Sequence, residues 1–225
     1  MPIRNFIGKT FVAFTDISGF TQLMNSERQA IIALDTFYTA GYEILRRGPA
    51  LGHVEGLFIS DSGILFIRPN SDTGDLQDLI MLLSVIEKLN KEMLSRDFML
   101  TTSISYGPFR YQQRIEFDGI RKESIFGNAY ISAFFDNEKV LPRIQPGQCR
   151  ICAGNMPVNL EFPAGNNDPI LCRLKERPQD TKHQYFYWNV ENPENIDSFE
   201  EQYRDSYNLK FKGMLSALKR PVNNY

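Results

Sequence analysis

The sequence predicts an α+β fold, a mixed and largely antiparallel sheet with helices packed on it, extended at the C-terminal end by further short strands and a helix. Three observations point there. Up to residue 141 the hydrophobic period runs strand, helix, hairpin, helix, hairpin, helix, the order of a sheet carrying helices on one face. Residues 53–59 and 63–67 are short β-rich runs joined by Ser60-Asp61-Ser62-Gly63, the turn chemistry of a hairpin. After Gly147 the runs CRICAG, VNLEF, ILCRLKE and YFYWNV read as more short strands.

The elements follow in order. Phe11 to Phe14 is an apolar strand, and Ser18-Gly19 breaks its period before a first helical turn. Residues 27–46 carry Ile31, Leu34, Phe37, Tyr38, Tyr42 and Leu45 at helical spacing, and Gly48-Pro49 stops that helix. The hairpin, with Asp61 at its tip, leads into the polar loop 69–75. Residues 76–94 then place Leu76, Leu79, Ile80, Leu83, Ile86, Leu89 and Met93 along one helical face. A strand from Phe98 to Ser105 ends at Tyr106-Gly107-Pro108, and another runs from Phe109 to Phe117. Gly127 opens a helix through Leu141, which Pro142 closes. Residues 166–169 and 177–183 read as loops, and 198–219 as one polar helix packed on the same body or on a second copy. No repeat and no long linker divides the chain, so residues 1–146 read as a core and 147–225 as strands and a helix completing the same domain.

Composition narrows function by exclusion. With 225 residues, 42% hydrophobic and 23% charged, the chain has material for one sizeable core. A net charge of −2 supplies no basic field for nucleic acid. Cys149, Cys152 and Cys172 form an odd set; Cys149-Arg-Ile-Cys152 has no second pair, and neither His53 nor His183 lies at zinc-finger spacing. Three reduced thiols, no apolar leader and no run of about 18 apolar residues predict a cytoplasmic protein that does not span a membrane.

The chemistry centres on two acids. Asp16 ends the first strand where a helix begins, so its carboxylate can hold a cation beside the free backbone amides of Ser18, Gly19, Phe20 and Thr21, which suit an anion. Asp16 is equally a standard N-cap for the amide of Ser18 or Gly19, and Asp61 an ordinary turn residue.

Four segments in order decide more than either acid alone. Phe14-Thr-Asp16-Ile17-Ser-Gly19-Phe20-Thr21, Ser60-Asp61 at the hairpin tip, Leu100-Thr-Thr-Ser-Ile-Ser-Tyr-Gly107-Pro108 and Ile125-Phe-Gly127-Asn-Ala129-Tyr-Ile-Ser-Ala133 together resemble the class III nucleotidyl cyclase catalytic domain over about residues 8–141. The resemblance implies a ferredoxin-like core and a homodimer. It implies two divalent ions, Mn²⁺ or Mg²⁺, held by Asp16, Asp61 and the Ile17 carbonyl, with the 18–21 amides on the terminal phosphates. Hard cations need such oxygen ligands, and a pair of them neutralises the attacking and leaving oxygens of a cyclising triphosphate.

Two departures refine that expectation. Where purine cyclases of the family read the base with polar side chains, this chain has Leu57 and Ser124, and the aliphatic Leu57 cannot tell adenine from guanine. Four and eight residues past the helix-opening glycine, the family's transition-state Asn and Arg are replaced by Ile131 and Phe135. Arg110, Arg114, Arg121, Lys122 and Lys175 are the cations available to compensate, unless the chain is a nucleotide-binding pseudo-cyclase. Gly127-Asn-Ala129-Tyr-Ile-Ser-Ala133 and the following Pro142-Arg143-Ile-Gln-Pro-Gly147-Gln-Cys149-Arg150-Ile are similar to one branch, the stand-alone pyrimidine cyclases of bacterial Pycsar antiphage systems. That branch implies a lyase forming cyclic UMP from UTP, or cyclic CMP from CTP, as a signal to a separate effector.

Overall fold

A computed structural model describes residues 3–46, 53–69, 74–117, 120–158, 160 and 168–221. Seven strands form one sheet in the order β2-β3-β1-β4-β6-β8-β7, and β5 adds to β4 beside that path. The first four positions, β2 (Val54–Ile59), β3 (Ser62–Ile67), β1 (Phe6–Ile17) and β4 (Leu100–Phe117), are antiparallel neighbours and make the ferredoxin-like core. Beyond them β6 (Cys149–Cys152) lies parallel to β4, and β8 (Asp180–Phe186) and β7 (Leu174–Arg177) continue the sheet antiparallel.

Helices cover both faces rather than one. Phe11, Ala13 and Ile17 of β1 share a cluster with Phe37 of α2 (Glu27–Arg46) and with Leu79, Leu82 and Leu89 of α3 (Asp75–Ser95). Val12 and Phe14 point the other way, into a second cluster with Ala129 and Ala133 of α4 (Asn128–Glu138). The run from Phe11 to Phe14 is apolar at every position because it is buried on both sides.

Several sequence expectations are corrected here. β4 does not stop at Gly107-Pro108: Thr10, Lys9 and Gly8 of β1 pair with Gly107, Pro108 and Phe109, so the neighbouring strand carries the ladder through. It then folds back as β5 (Ile120–Phe126), a strand the sequence reading did not assign. α4 ends at Glu138 instead of Leu141, because the amides of Lys139 and Val140 both close on the Phe135 carbonyl, 2.8 and 3.2 Å, and Arg150 takes the Asp136 carbonyl at 2.7 Å. Residues 180–183, expected within a loop, belong to the strand β8; of its polar side chains, those of Asp180 and His183 are buried. The strand expected over 185–190 ends at Phe186, and the 170–176 run begins as a 3₁₀ turn before β7. The C-terminal segment is two helices, α5 (Ile196–Asp205) and α6 (Lys210–Lys219), broken where Lys210 has φ 53°. They pack on the same chain: Tyr203 donates to the Pro146 carbonyl and Lys219 pairs with Asp97. The Gly48-Pro49 stop, loop positions 70–73, most of the VNLEF run and positions 166–167 lie outside the described residues.

Gly127, before α4, has φ 132°, and a Cβ there would lie 2.4 Å from the Pro108 carbonyl oxygen and 2.8 Å from the Phe109 Cα. Backbone cannot yield as a side chain does, so Gly127→Ala is expected to cost about 2–4 kcal/mol, measured by denaturant unfolding. No helix among the described residues is long and apolar enough to cross a membrane.

Candidate active site

Strand alternation places Phe14 and Asp16 on the α4 side of β1. Phe14 meets Phe134 of α4 edge-on at 5.2 Å, which seats the helix over this end of the strand. Asp16 is opposite Ser62 on β3 and opposite Thr101 on β4. It does not cap a helix: the short helix α1 (Phe20–Leu23) has Gly19 as its N-cap, in the left-handed region at φ 74°, with no side-chain cap. The Asp16 carboxylate accepts instead from Ser62 Oγ at 2.9 Å.

Asp61 occupies the two-residue tip between β2 and β3, and its carbonyl takes the Ile17 amide at 3.0 Å, tying the hairpin tip to the end of β1. The two acids thus meet at one edge of the core. Burial first, and then the negative charges of Asp61 and Glu138, push the Asp16 pKa up to about 7 against the hydrogen bond from Ser62. No basic side chain contributes to that balance. A recessed carboxylate with two further acids near it and a backbone carbonyl beside it offers the hard oxygen donors that suit Mg²⁺ or Mn²⁺. The residues present therefore fit a divalent ion, with Asp16 and Asp61 as its ligands and the Ile17 backbone between them.

The other expected site residues divide. The Ser18 amide is spent on the Met99 carbonyl at 2.8 Å, so it is not a phosphate donor in this structure. Gly19, Phe20 and Thr21 precede the first intrahelical bonds, from Gln22 and Leu23 to the Gly19 carbonyl, and their amides have no acceptor within the helix. Leu57 is 7% exposed in the apolar cluster with Phe14 and Ile64, on the same side of the sheet as Asp16. Ser124 is half-buried on β5 opposite Gln112, outside that cluster, whose margin its neighbour Ile125 touches. Ile131 and Phe135 are each 44% exposed along α4. Of the cations considered, Arg110 lies over the Phe126 ring and Lys175 pairs with Asp197; the side chains of Arg114 and Arg121 lie outside the described residues.

Sequence reading missed two groups. Glu138, at the end of α4, acts on Asp16 only because the helix is laid along β1. The other is a buried network beneath α4. Asp136 receives Arg150 Nε at 2.8 Å, Arg150 Nη2 at 3.1 Å and the Ser103 hydroxyl. His183 Nε2 lies 2.7 Å from Asp136, and its Nδ1 lies 2.8 Å from Asp180, which Tyr185 also donates to at 2.7 Å. Burial raises the Asp136 pKa, but the His183, Ser103 and Arg150 hydrogen bonds outweigh it and hold the carboxyl below its ordinary value. Asp136, Cys152 and His183 offer ligand atoms within 4.8 Å of one another, a second group with the spacing of metal ligands. The Arg150 guanidinium already fills the cation's part there, and burial pushes the Cys152 thiol up to about 12, far from the thiolate a metal needs. The signal for this network was present as polar residues, Arg150 and His183, on strands that also hold core side chains.

No protein-family model matches the chain, and no curated protein sequence matches it. Solved structures do match. The adenylyl cyclase CyaB from P. aeruginosa is similar at TM-score 0.54 and 19% identity, covering 68% of this chain and 81% of that one. The guanylyl cyclase Cya2 is similar at TM-score 0.55 and 10% identity, over 82% and 92% of the two chains. The guanylyl cyclase domain of the RhoGC fusion protein from the aquatic fungus Blastocladiella emersonii is similar at TM-score 0.56 and 11% identity, over 82% and 97%. The fold is thus that of class III nucleotide cyclase catalytic domains. At these identities the likeness is one of architecture.

Proposed function

We propose that this chain is a metal-dependent nucleotide cyclase, and within that class a uridylate cyclase that converts UTP to 3′,5′-cyclic UMP and pyrophosphate as an antiphage signal to a separate effector. The observation that carries the reading is the placement of Asp16 and Asp61 at one end of a cyclase-type core, where the Asp61 carbonyl takes the Ile17 amide and burial with the nearby acids raises the Asp16 pKa to about 7. Two divalent ions, Mn²⁺ or Mg²⁺, would supply charge neutralisation for the cyclising triphosphate when bound by Asp16 and Asp61. Asp16 and Asp61 hold them, Ser62 orients the Asp16 carboxylate, and the amides of Gly19 to Thr21 receive the terminal phosphates. Catalysis rests on positioning and electrostatics.

The pyrimidine assignment rests on the similarity to stand-alone pyrimidine cyclases and on Leu57, an aliphatic side chain where a purine reader would be polar. Cytidylate cyclase is its near alternative. The exposed apolar residues Ile131 and Phe135 suit a homodimer built along α4. The same two residues favour one other reading, a pseudo-cyclase that binds a triphosphate without turning it over, since a missing donor to a developing phosphate charge costs about 10²–10³ in rate. Incubation with each of the four ribonucleoside triphosphates and Mn²⁺ or Mg²⁺, with products identified by mass, separates these. Cyclic UMP is the expected product. Cyclic CMP selects the alternative base, metal-dependent binding without product selects the pseudo-cyclase, and cyclic AMP or GMP overturns the pyrimidine assignment.

A further inference from the structure

Two polar groups beside Asp16 make no hydrogen bond among the described residues. Ser18, in the turn directly after β1, is 6% exposed and its Oγ has no partner. The Asn137 Nδ2 is also buried and unpartnered, while its Oδ1 accepts from Thr101 Oγ1 at 3.1 Å. Thr101 is the cross-strand partner of Asp16, so Asn137 stands over the same pair of residues. Buried polar groups are nearly always satisfied, and two orphans flanking one carboxylate mark a wall whose partner arrives with a ligand.

The next residue is Glu138. It ends α4, it is exposed, and no basic residue lies in that last turn. Lys139 is turned aside, its Nζ 5.1 Å from the centre of the Phe135 ring. The C-terminal end of α4 therefore brings both a carboxylate and the negative end of a helix dipole to the Asp16 end of β1.

We propose that Glu138 is a third acid of the cation pocket, holding through water the ion that Asp16 and Asp61 ligate. This rests on the reading of Asp16 and Asp61 as a divalent-metal site. Mg²⁺ and Mn²⁺ keep part of their water shell when bound by few carboxylates, and an exposed acid at the mouth accepts from those waters. Outer-shell partners of this kind commonly change metal affinity by about 10- to 100-fold when removed.

The test is a Mn²⁺ titration of the nucleotide-free full chain, followed by electron paramagnetic resonance of the free ion. Glu138→Gln is expected to weaken binding about tenfold or more while leaving the metal-free protein no less stable to heat, because the side chain is exposed and its charge only adds to the repulsion on Asp16. Glu138→Asp, which still reaches through water, is expected to recover most of the affinity. Asp16→Asn runs beside them. If Asp16→Asn loses Mn²⁺ and Glu138→Gln binds within twofold of the unaltered chain, the role of Glu138 falls and the metal site stands. If Asp16→Asn binds Mn²⁺ normally, the site itself is misplaced and both readings fall.

Discussion

Asp16→Asn is expected to reduce cyclase turnover by about 10³-fold or more, and at the same time to raise the melting temperature of the metal-free protein at pH 8. The first effect follows from removing a carboxylate that both ions require. The second follows from the sign of the pKa shift. Burial and the charges of Asp61 and Glu138 lift the folded-state pKa to about 7, from 3.8. A carboxyl whose pKa is raised on folding binds its proton more tightly in the folded state, so its contribution is full at low pH and is lost as pH rises from about 4 through 7. At pH 8 the ionised side chain opposes folding, and the neutral amide of Asn does not. At pH 4 the two proteins should melt alike. Mn²⁺ should raise the melting point of the unaltered chain at pH 8, do little at pH 5 where a proton occupies the ligand, and do nothing for the variant. A metal-free variant less stable than its parent at pH 8 would count against the carboxylate being held in surplus of cations.

The second large effect concerns stability. Arg150→Met is expected to cost about 3–5 kcal/mol, because it leaves Asp136 charged, buried and short of its principal partner. For a chain of this length that is about 10 °C in melting temperature. The loss should be partly recovered in the double substitution Asp136→Leu with Arg150→Met, since an apolar pair carries no desolvation penalty. The geometry explains the magnitude. His183 sets a ring nitrogen against each of Asp136 and Asp180, so the loss of Arg150 disturbs a network that joins both carboxylates. Additive effects of the two substitutions would show that Arg150 and Asp136 do not depend on each other.

This network also bears on the site. Asp136 fastens the last turn of α4 to β4 through Ser103, to β6 through Arg150 and to β8 through His183. Asn137 and Glu138 are the next two residues, so the C-terminal strands fix where that turn stands relative to Asp16. The sheet beyond β4 thus takes part in placing the site, though neither Asp16 nor Asp61 comes from it.

What the sequence determined by itself is what depends on local chemistry. The apolar run ending at Asp16, the turn within Ser60-Asp61-Ser62-Gly63 and the face of α3 are each set by neighbours a few positions apart, where turn preference and hydrophobic period act directly. Their order was enough to indicate the core and the two acids. Only the tertiary structure decided whether Asp16 caps a helix, because its carboxylate accepts instead from Ser62, 46 positions away across the sheet. The strand at 180–186 was hidden for a related reason: its inward residues, Asp180 and His183, are polar and become core material only once Asp136 and Arg150 arrive to neutralise them. Charge compensation between distant residues leaves no period in a sequence, and it is realised only when the chain has folded.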